Sequence, residues 1–220
     1  QYVRWGEKGD PLFVKLGSID DATLGDGFIV GNYDNTLFLP DRRIFGLSFD
    51  LDGQLFGFPY VGIETFVGNL AQFDVVAVRP FVRPLAWMDV PVIKNLQVGG
   101  TFAMDRKPEL YEDYLAGTAE PVIVYGADLR LPILANPAIS LIAFTDIARL
   151  HNTGGVGGMV GFGGRLIGFL NYGAQVRVLG ENFIPTYFDS AYDLFRTAKY
   201  ERVDLQDVAA YQGWLASLGF

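Results

Sequence analysis

The chain has 220 residues, of which 50% are hydrophobic, 15% aromatic and only 19% charged, and its formal charge is −8. It is too apolar for a disordered segment, too acidic and too poor in clustered Lys and Arg for nucleic acid, and it has no cysteine for disulfides or thiolate metal sites. No apolar run approaches the roughly 18 residues of a spanning helix; the nearest, residues 133–144, is broken by Asn136-Pro137.

What organises the chain is alternation with a period of two, the mark of strands with unlike faces. Residues 11–19 read as a first strand, residues 20–27 as a polar, glycine-containing break. Residues 28–39 have no clean period, which fits an irregular loop or a short insert folded into a barrel mouth or lumen. In residues 43–51, Phe45, Leu47, Phe49 and Leu51 share one face while Ser48 and Asp50 share the other. Asp52-Gly53 reads as a hairpin turn because the pair tolerates positive φ, and residues 57–67 as the returning strand. After a turn at Gly68-Asn69, residues 73–85 set Val76, Val78 and Val82 against Arg79, Phe81 and Arg83. Pro80 and Pro84 cannot donate ladder hydrogen bonds, which predicts a bulge or a frayed end.

A loop at 86–91 leads to a strand at 93–105, with Leu96, Val98, Phe102 and Met104 opposing Gln97, Thr101 and Asp105. Residues 106–120 read as a long exposed loop. Residues 121–132 alternate most clearly, Ile123, Tyr125, Ala127, Leu129 and Leu131 facing away from Asp128 and Arg130. Asn136-Pro137 turns the chain into residues 139–150, where Asp146 shares a face with Ile142 and Phe144. Residues 154–178 divide into two strands joined near 168–170, one very long strand being the competing parse. Residues 183–211 read as an irregular segment holding a short helix at 190–199, and residues 212–220 as a last strand.

The sum is about ten antiparallel strands in one domain spanning 1–220, with irregular segments at 20–40, 106–120 and 183–211. Strands apolar on one face and charged at mid-strand on the other suit a closed transmembrane β-barrel, an all-β up-and-down wall with an apolar band outward and a polar lumen inward. The absence of a fixed-length repeat argues against a propeller or solenoid. Nothing at Gln1 reads as a signal peptide, so an exported protein would be represented by its mature form or by part of a longer barrel.

Three segments, Gly126-Ala-Asp-Leu-Arg-Leu-Pro132, Tyr172-Gly-Ala-Gln-Val-Arg-Val178 and the terminal Trp214-Leu-Ala-Ser-Leu-Gly-Phe220, carry a resemblance to the porin-like outer-membrane β-barrels of diderm bacteria. The terminal segment is similar to the C-terminal signal of such barrels, with Trp214, Ala216, Leu218 and Phe220 at every second position. The resemblance implies residence in the bacterial outer membrane, a lipid bilayer and the barrel-assembly machinery as partners, small solutes as possible cargo, no cofactor and no enzyme activity.

Mid-strand arginine facing lipid costs about 2–4 kcal/mol, so charged positions should turn inward. The expected lumen lining is Glu64, Arg79, Arg83, Asp105, Asp128, Arg130, Asp146, Arg165, Gln175 and Arg177. It serves either as a selective channel wall or as a salt-bridged plug. Tyr60, Trp87, Tyr111, Tyr172, Tyr187 and Trp214 are the expected interfacial aromatics. The alternatives are a soluble lipocalin-like barrel binding a small apolar ligand, with Phe45, Leu47, Leu129 and Val176 turned inward, and an outer-membrane hydrolase. A hydrolase would have to recruit His151, the single histidine, with Ser140 or Ser190. Asp20, Asp21, Asp26 and Asp34, and the Asp50-Leu-Asp52-Gly53 stretch, are more simply solvated turns than calcium ligands. The glycines at 154–164 lack both dinucleotide and phosphate-loop spacing and suit close approach of a neighbouring backbone.

Overall fold

The computed structural model describes residues 1–110 and 119–220. Eleven strands form one antiparallel sheet in chain order: β1 (Tyr2–Trp5), β2 (Leu12–Gly17), β3 (Gly46–Asp52), β4 (Val61–Val67), β5 (Val75–Val82), β6 (Gln97–Asp105), β7 (Val122–Ala135), β8 (Ile139–Leu150), β9 (Val156–Leu166), β10 (Leu170–Leu179) and β11 (Tyr211–Gly219). Among the described residues one α-helix, α1 (Tyr192–Leu205), precedes β11. Three of the connections at one end of the sheet are long (18–45, 106–121 and 180–210), whereas the other end includes three-residue turns at 136–138 and 167–169.

The sheet curls around inserted chain, but it is not closed. Among the described residues β1 pairs only with β2 and β11 only with β10, so each keeps a free edge, which corrects the expectation of a closed wall. The eleventh strand is β1, four exposed residues too short for a periodic signal. The doubt over residues 154–178 resolves into two strands, β9 and β10, with Ile167 and Gly168 at positive φ in the turn between them.

Two expected turns and strands are placed differently. Asp52-Gly53 is not a two-residue hairpin: the Asp52 carboxylate accepts from the Gln54 N–H at 2.9 Å, caps a 3-10 turn at Gly53–Phe56, and delays β4 to Val61. Residues 93–95 form another 3-10 turn, so β6 begins at Gln97. Pro80 causes no bulge; the β5–β6 ladder skips Arg79 and Pro80 and resumes in the same register at Phe81↔Gly99. The register shift lies instead in β7, between Pro132 and Leu134.

Cross-strand pairs divide the sheet into two unlike faces. On the convex face stand runs such as Leu47, Phe49 and Leu51 of β3, Leu129 and Leu131 of β7, and Val160, Phe162, Val176 and Val178 of β9 and β10. The charged side chain on that face is Arg149, one residue from the end of β8. Its apolar residues are open to the surroundings, Val160 at 58% and Val176 at 51%, whereas Arg79 and Asp105 on the concave face are at 0%.

At the long-connection end the concave side is filled with chain. The wall there carries small residues, Ala77, Ala103, Ala148 and Gly157, and the space they leave takes Phe28, Tyr33, Phe183, Tyr187, Phe188 and Tyr192. A Cβ on Gly157 would stand 2.4 Å from the Phe183 ring, so any larger residue there would force the ring to shift. The two inserted segments hold each other through backbone bonds, Gly31 N–H to Phe188 O at 3.1 Å and Thr186 N–H to Phe28 O at 2.7 Å. Residues 28–39, aperiodic in sequence, thus begin as part of a plug.

Candidate functional site

The inward charges of the wall fall into a belt because the register sets them beside one another: Asp50↔Glu64, Glu64↔Arg79, and Asp128↔Asp146. Arg79 is its centre. Its Nε and Nη2 donate to the two oxygens of Asp128 at 2.9 and 2.5 Å, and its Nη1 donates to Glu64 at 3.1 Å. This forked geometry suits guanidinium and carboxylate and is stronger than a single contact. Gly99 makes it possible, since a Cβ there would lie 2.5 Å from Asp128 Oδ2 and 2.7 Å from Arg79 Nη2.

The belt also holds the inserted chain. The Gly25 N–H donates to Glu64 Oε2 at 2.9 Å, Arg130 Nη1 donates to Gly25 O at 3.3 Å and stands 3.4 Å from Asp26, and Lys15 of β2 pairs with Asp20 and Asp21. Burial pushes the Asp26 carboxyl up to about 6, with Arg130 pulling the other way.

A second buried knot fastens α1 over the filled end. Arg196 Nε and Nη2 donate to Asp105 at 2.6 and 2.7 Å, Nη1 donates to Asp74 at 2.8 Å, and the Tyr192 hydroxyl donates to Asp105 at 2.6 Å. The Tyr33 hydroxyl donates to Asp193 at 3.1 Å, joining the plug to the helix. Burial raises the Asp193 carboxyl to about 7.

At the opposite end the concave side stays open as a vestibule of about 400 Å³. Its lining comes from the β1–β2 connection (Lys8, Gly9, Asp10), the plug (Thr23, Gly25) and the wall, including Asp50, Glu64, Phe81, Arg83, Gln97, Arg130, Pro132 and Ile142. Lys8 Nζ lies 2.8 Å from Asp50, and Arg83 forms a two-point pair with Asp52 at 3.1 and 2.6 Å.

The ten charged and polar residues named from sequence lie in or just beyond strands on the concave side, but they do not form one site. Glu64, Arg79 and Asp128 make the central cluster, with Arg130 beside it; Asp105 is taken by Arg196; Arg83 is held by Asp52. Asp146 Oδ2 and Arg177 Nε are buried without hydrogen-bond partners, Gln175 lies two residues from Arg177 on the same face, and Arg165 is exposed opposite Asn171. Missed in sequence were Lys8, Lys15, Arg196 and Tyr192. For the last two the available signal was their one-turn spacing on a helix.

Among the expected interfacial aromatics, Tyr187 is corrected: it is fully buried in the plug. Trp214 faces outward, 80% exposed, yet pairs with Val176 at mid-strand and not at a rim. Tyr60 and Trp87 lie in the connections of the vestibule end, and Tyr172 lies near that end of β10 and donates to Ser140 O at 3.0 Å. Tyr111 falls outside the described residues. Exposed Phe56, Phe58 and Phe169, all beside turns, belong with them at the same end.

The acidic stretch is dispersed: Asp20 and Asp21 serve Lys15, Asp26 faces Arg130, and Asp34 accepts from Thr36 N–H at 2.6 Å. His151 is exposed in the β8–β9 connection, while Ser140 sits at the other end of β8. Glycines of β9 allow close backbone approach, a Cβ on Gly164 meeting Ser140 O at 1.9 Å. Comparison of the chain with models of known families, with curated proteins and with solved structures finds no match. Chemically, the arrangement offers a filled, ion-paired interior at one end and a charged recess at the other.

Proposed function

We propose that the protein is an integral outer-membrane β-barrel of porin-like kind whose lumen is plugged, so that it binds small solutes from one side or anchors structure in the membrane instead of conducting freely. The observation that carries this reading is the polarity of the two faces. The strands present an uncharged apolar surface outward except at Arg149 near a rim, and turn their other charges inward. Exposed apolar surface of that extent marks contact with lipid or protein, and in hydrocarbon the backbone can be satisfied only by helices or paired strands. The longest connections gather at one end and the three-residue turns lie at the other, which also carries the connections at 53–60 and 83–96, an asymmetry in keeping with outer-membrane barrels.

The lipocalin-like alternative requires the reverse arrangement, with Phe45, Leu47, Leu129 and Val176 buried; Phe45, Leu129 and Val176 are 54%, 45% and 51% exposed, and Leu47 is half-buried. For a hydrolase built on His151, Ser140 lies at the opposite end of β8, and Ser190, in the 180–210 connection at the same end as His151, makes no hydrogen bond with it among the described residues. The test is partition into detergent followed by planar-bilayer conductance of the full chain. Insertion with no discrete steps is the expected result. Steady single-channel steps from the native chain overturn the plugged reading, and a monomer at high concentration in plain buffer overturns the membrane reading.

A further inference from the structure

The vestibule contains a carboxylate that the fold leaves half-used. Asp50 is 7% exposed; its Oδ2 meets the Lys8 ammonium at 2.8 Å, while its Oδ1 is buried with no hydrogen bond of good geometry among the described residues. A buried acceptor left unsatisfied is destabilising and calls for a reason. Glu64 stands beside it, its Oε2 4.0 Å from Lys8.

Lys8 is a poor permanent partner. It projects from the connection between β1 and β2 and its side chain is 43% exposed, so its ammonium can leave the carboxylate for solvent without disturbing packed structure. We propose that the vestibule binds small organic monocations bearing a primary ammonium, which displace Lys8 and take its place between Asp50 and Glu64. An ammonium offers three donors, enough for Asp50 Oδ1 as well as the two oxygens already engaged. A metal ion fits less well, because no group of three or more acidic or histidine side chains converges among the described residues. The volume of about 400 Å³ accepts a solute of several heavy atoms, and Phe81, Ile142 and Pro132 supply apolar wall for its carbon chain. Arg130, its side chain 28% exposed and held only by contacts of 3.3 and 3.4 Å, disfavours a second positive charge and so selects against diamines.

The site rests on the vestibule and not on conduction, so its failure and that of the plugged-barrel reading are separable. The experiment is isothermal titration of the full chain in detergent with 5-amino-1-pentanol, with 1,5-pentanediol and 1,5-diaminopentane as comparisons. Saturable binding of the amino alcohol is expected, at least tenfold tighter than either comparison. Asp50→Asn should weaken it at least tenfold, and Lys8→Ala should tighten it severalfold, because removing an internal competitor raises the fraction of competent sites. Lys8→Ala lies in an exposed connection and tests the idea even if Asp50→Asn does not fold. No binding to the native chain or to Lys8→Ala, equal affinity for the diol, or weaker binding by Lys8→Ala overturns the proposal.

Discussion

Replacing Arg79 by methionine keeps an unbranched side chain and removes the guanidinium from the middle of the belt. Arg79 donates three hydrogen bonds to carboxylates, two to Asp128 and one to Glu64. Each charge-assisted bond is worth about 1.5–3 kcal/mol, a gross figure that the desolvation of the ions largely offsets. What decides the outcome is what remains behind. Asp128 is 4% exposed, so without the guanidinium its charge is stranded. Removing one partner of a buried pair costs about 3–5 kcal/mol, about a fifth or more of the stability of a domain at about 5–15 kcal/mol. Arg79→Met should therefore lose about 3–5 kcal/mol in urea unfolding followed by tryptophan fluorescence in detergent. Arg79→Met with Asp128→Asn should recover part of it, by a coupling of about 0.5–3 kcal/mol. A loss below about 1 kcal/mol for the single variant, or a double variant no better than the single, refutes the argument that the belt is a buried, mutually dependent unit.

Gly99→Ala places a methyl 2.5 Å from Asp128 Oδ2 and should force the same pair apart, costing about 1–3 kcal/mol by the same unfolding measurement. The Asp26 carboxyl, raised by burial from 3.8 to about 6, contributes stability that is complete below pH 3.8 and lost as pH rises through 6. Asp26→Asn should remove up to about 3 kcal/mol of that pH dependence, and parallel stability curves for variant and native chain between pH 4 and 7 would contradict it. Val176→Arg, on the outward face of β10, should cost about 2–4 kcal/mol in a bilayer and reduce insertion into vesicles, whereas unimpaired insertion would argue that this face does not meet lipid.

The two faces were legible in the sequence because parity alone decides them. Leu47 and Phe49 against Ser48 and Asp50, Val76 and Val78 against Arg79, and the bounds of β8 at Ile139–Leu150 all follow from a period of two. Which inward charges meet was not legible. Arg79 and Asp128 lie 49 positions apart, and their contact depends on strand register and on a glycine that opens space between them. The plug left only the absence of a period at residues 28–39, and an aromatic such as Tyr187 looks the same beside a turn whether it is bound for a membrane interface or for the interior. The tight turn expected at Asp52-Gly53 failed because an aspartate side chain can cap a helical turn as readily as it can favour a hairpin.

The free edges impose a further condition on the membrane reading. Every strand is antiparallel to its neighbour, so odd-numbered strands all run in one sense, and β1 and β11 are both odd. Joining these two edges directly would require a parallel ladder in an otherwise antiparallel wall. A second copy added head to tail would meet the same obstacle, and a twofold pairing of β11 with itself would set the two copies at opposite orientations across the bilayer. Left unpaired in hydrocarbon, the N–H and C=O groups along β11 would cost several kcal/mol each, and its outward Trp214 and Leu218 already continue the apolar band. In lipid, antiparallel closure is reached only with an odd number of additional strands between β11 and β1. The plug and its ionic belt are independent of that seam, because β4, β5 and β7, which carry Glu64, Arg79 and Asp128, are each paired on both sides.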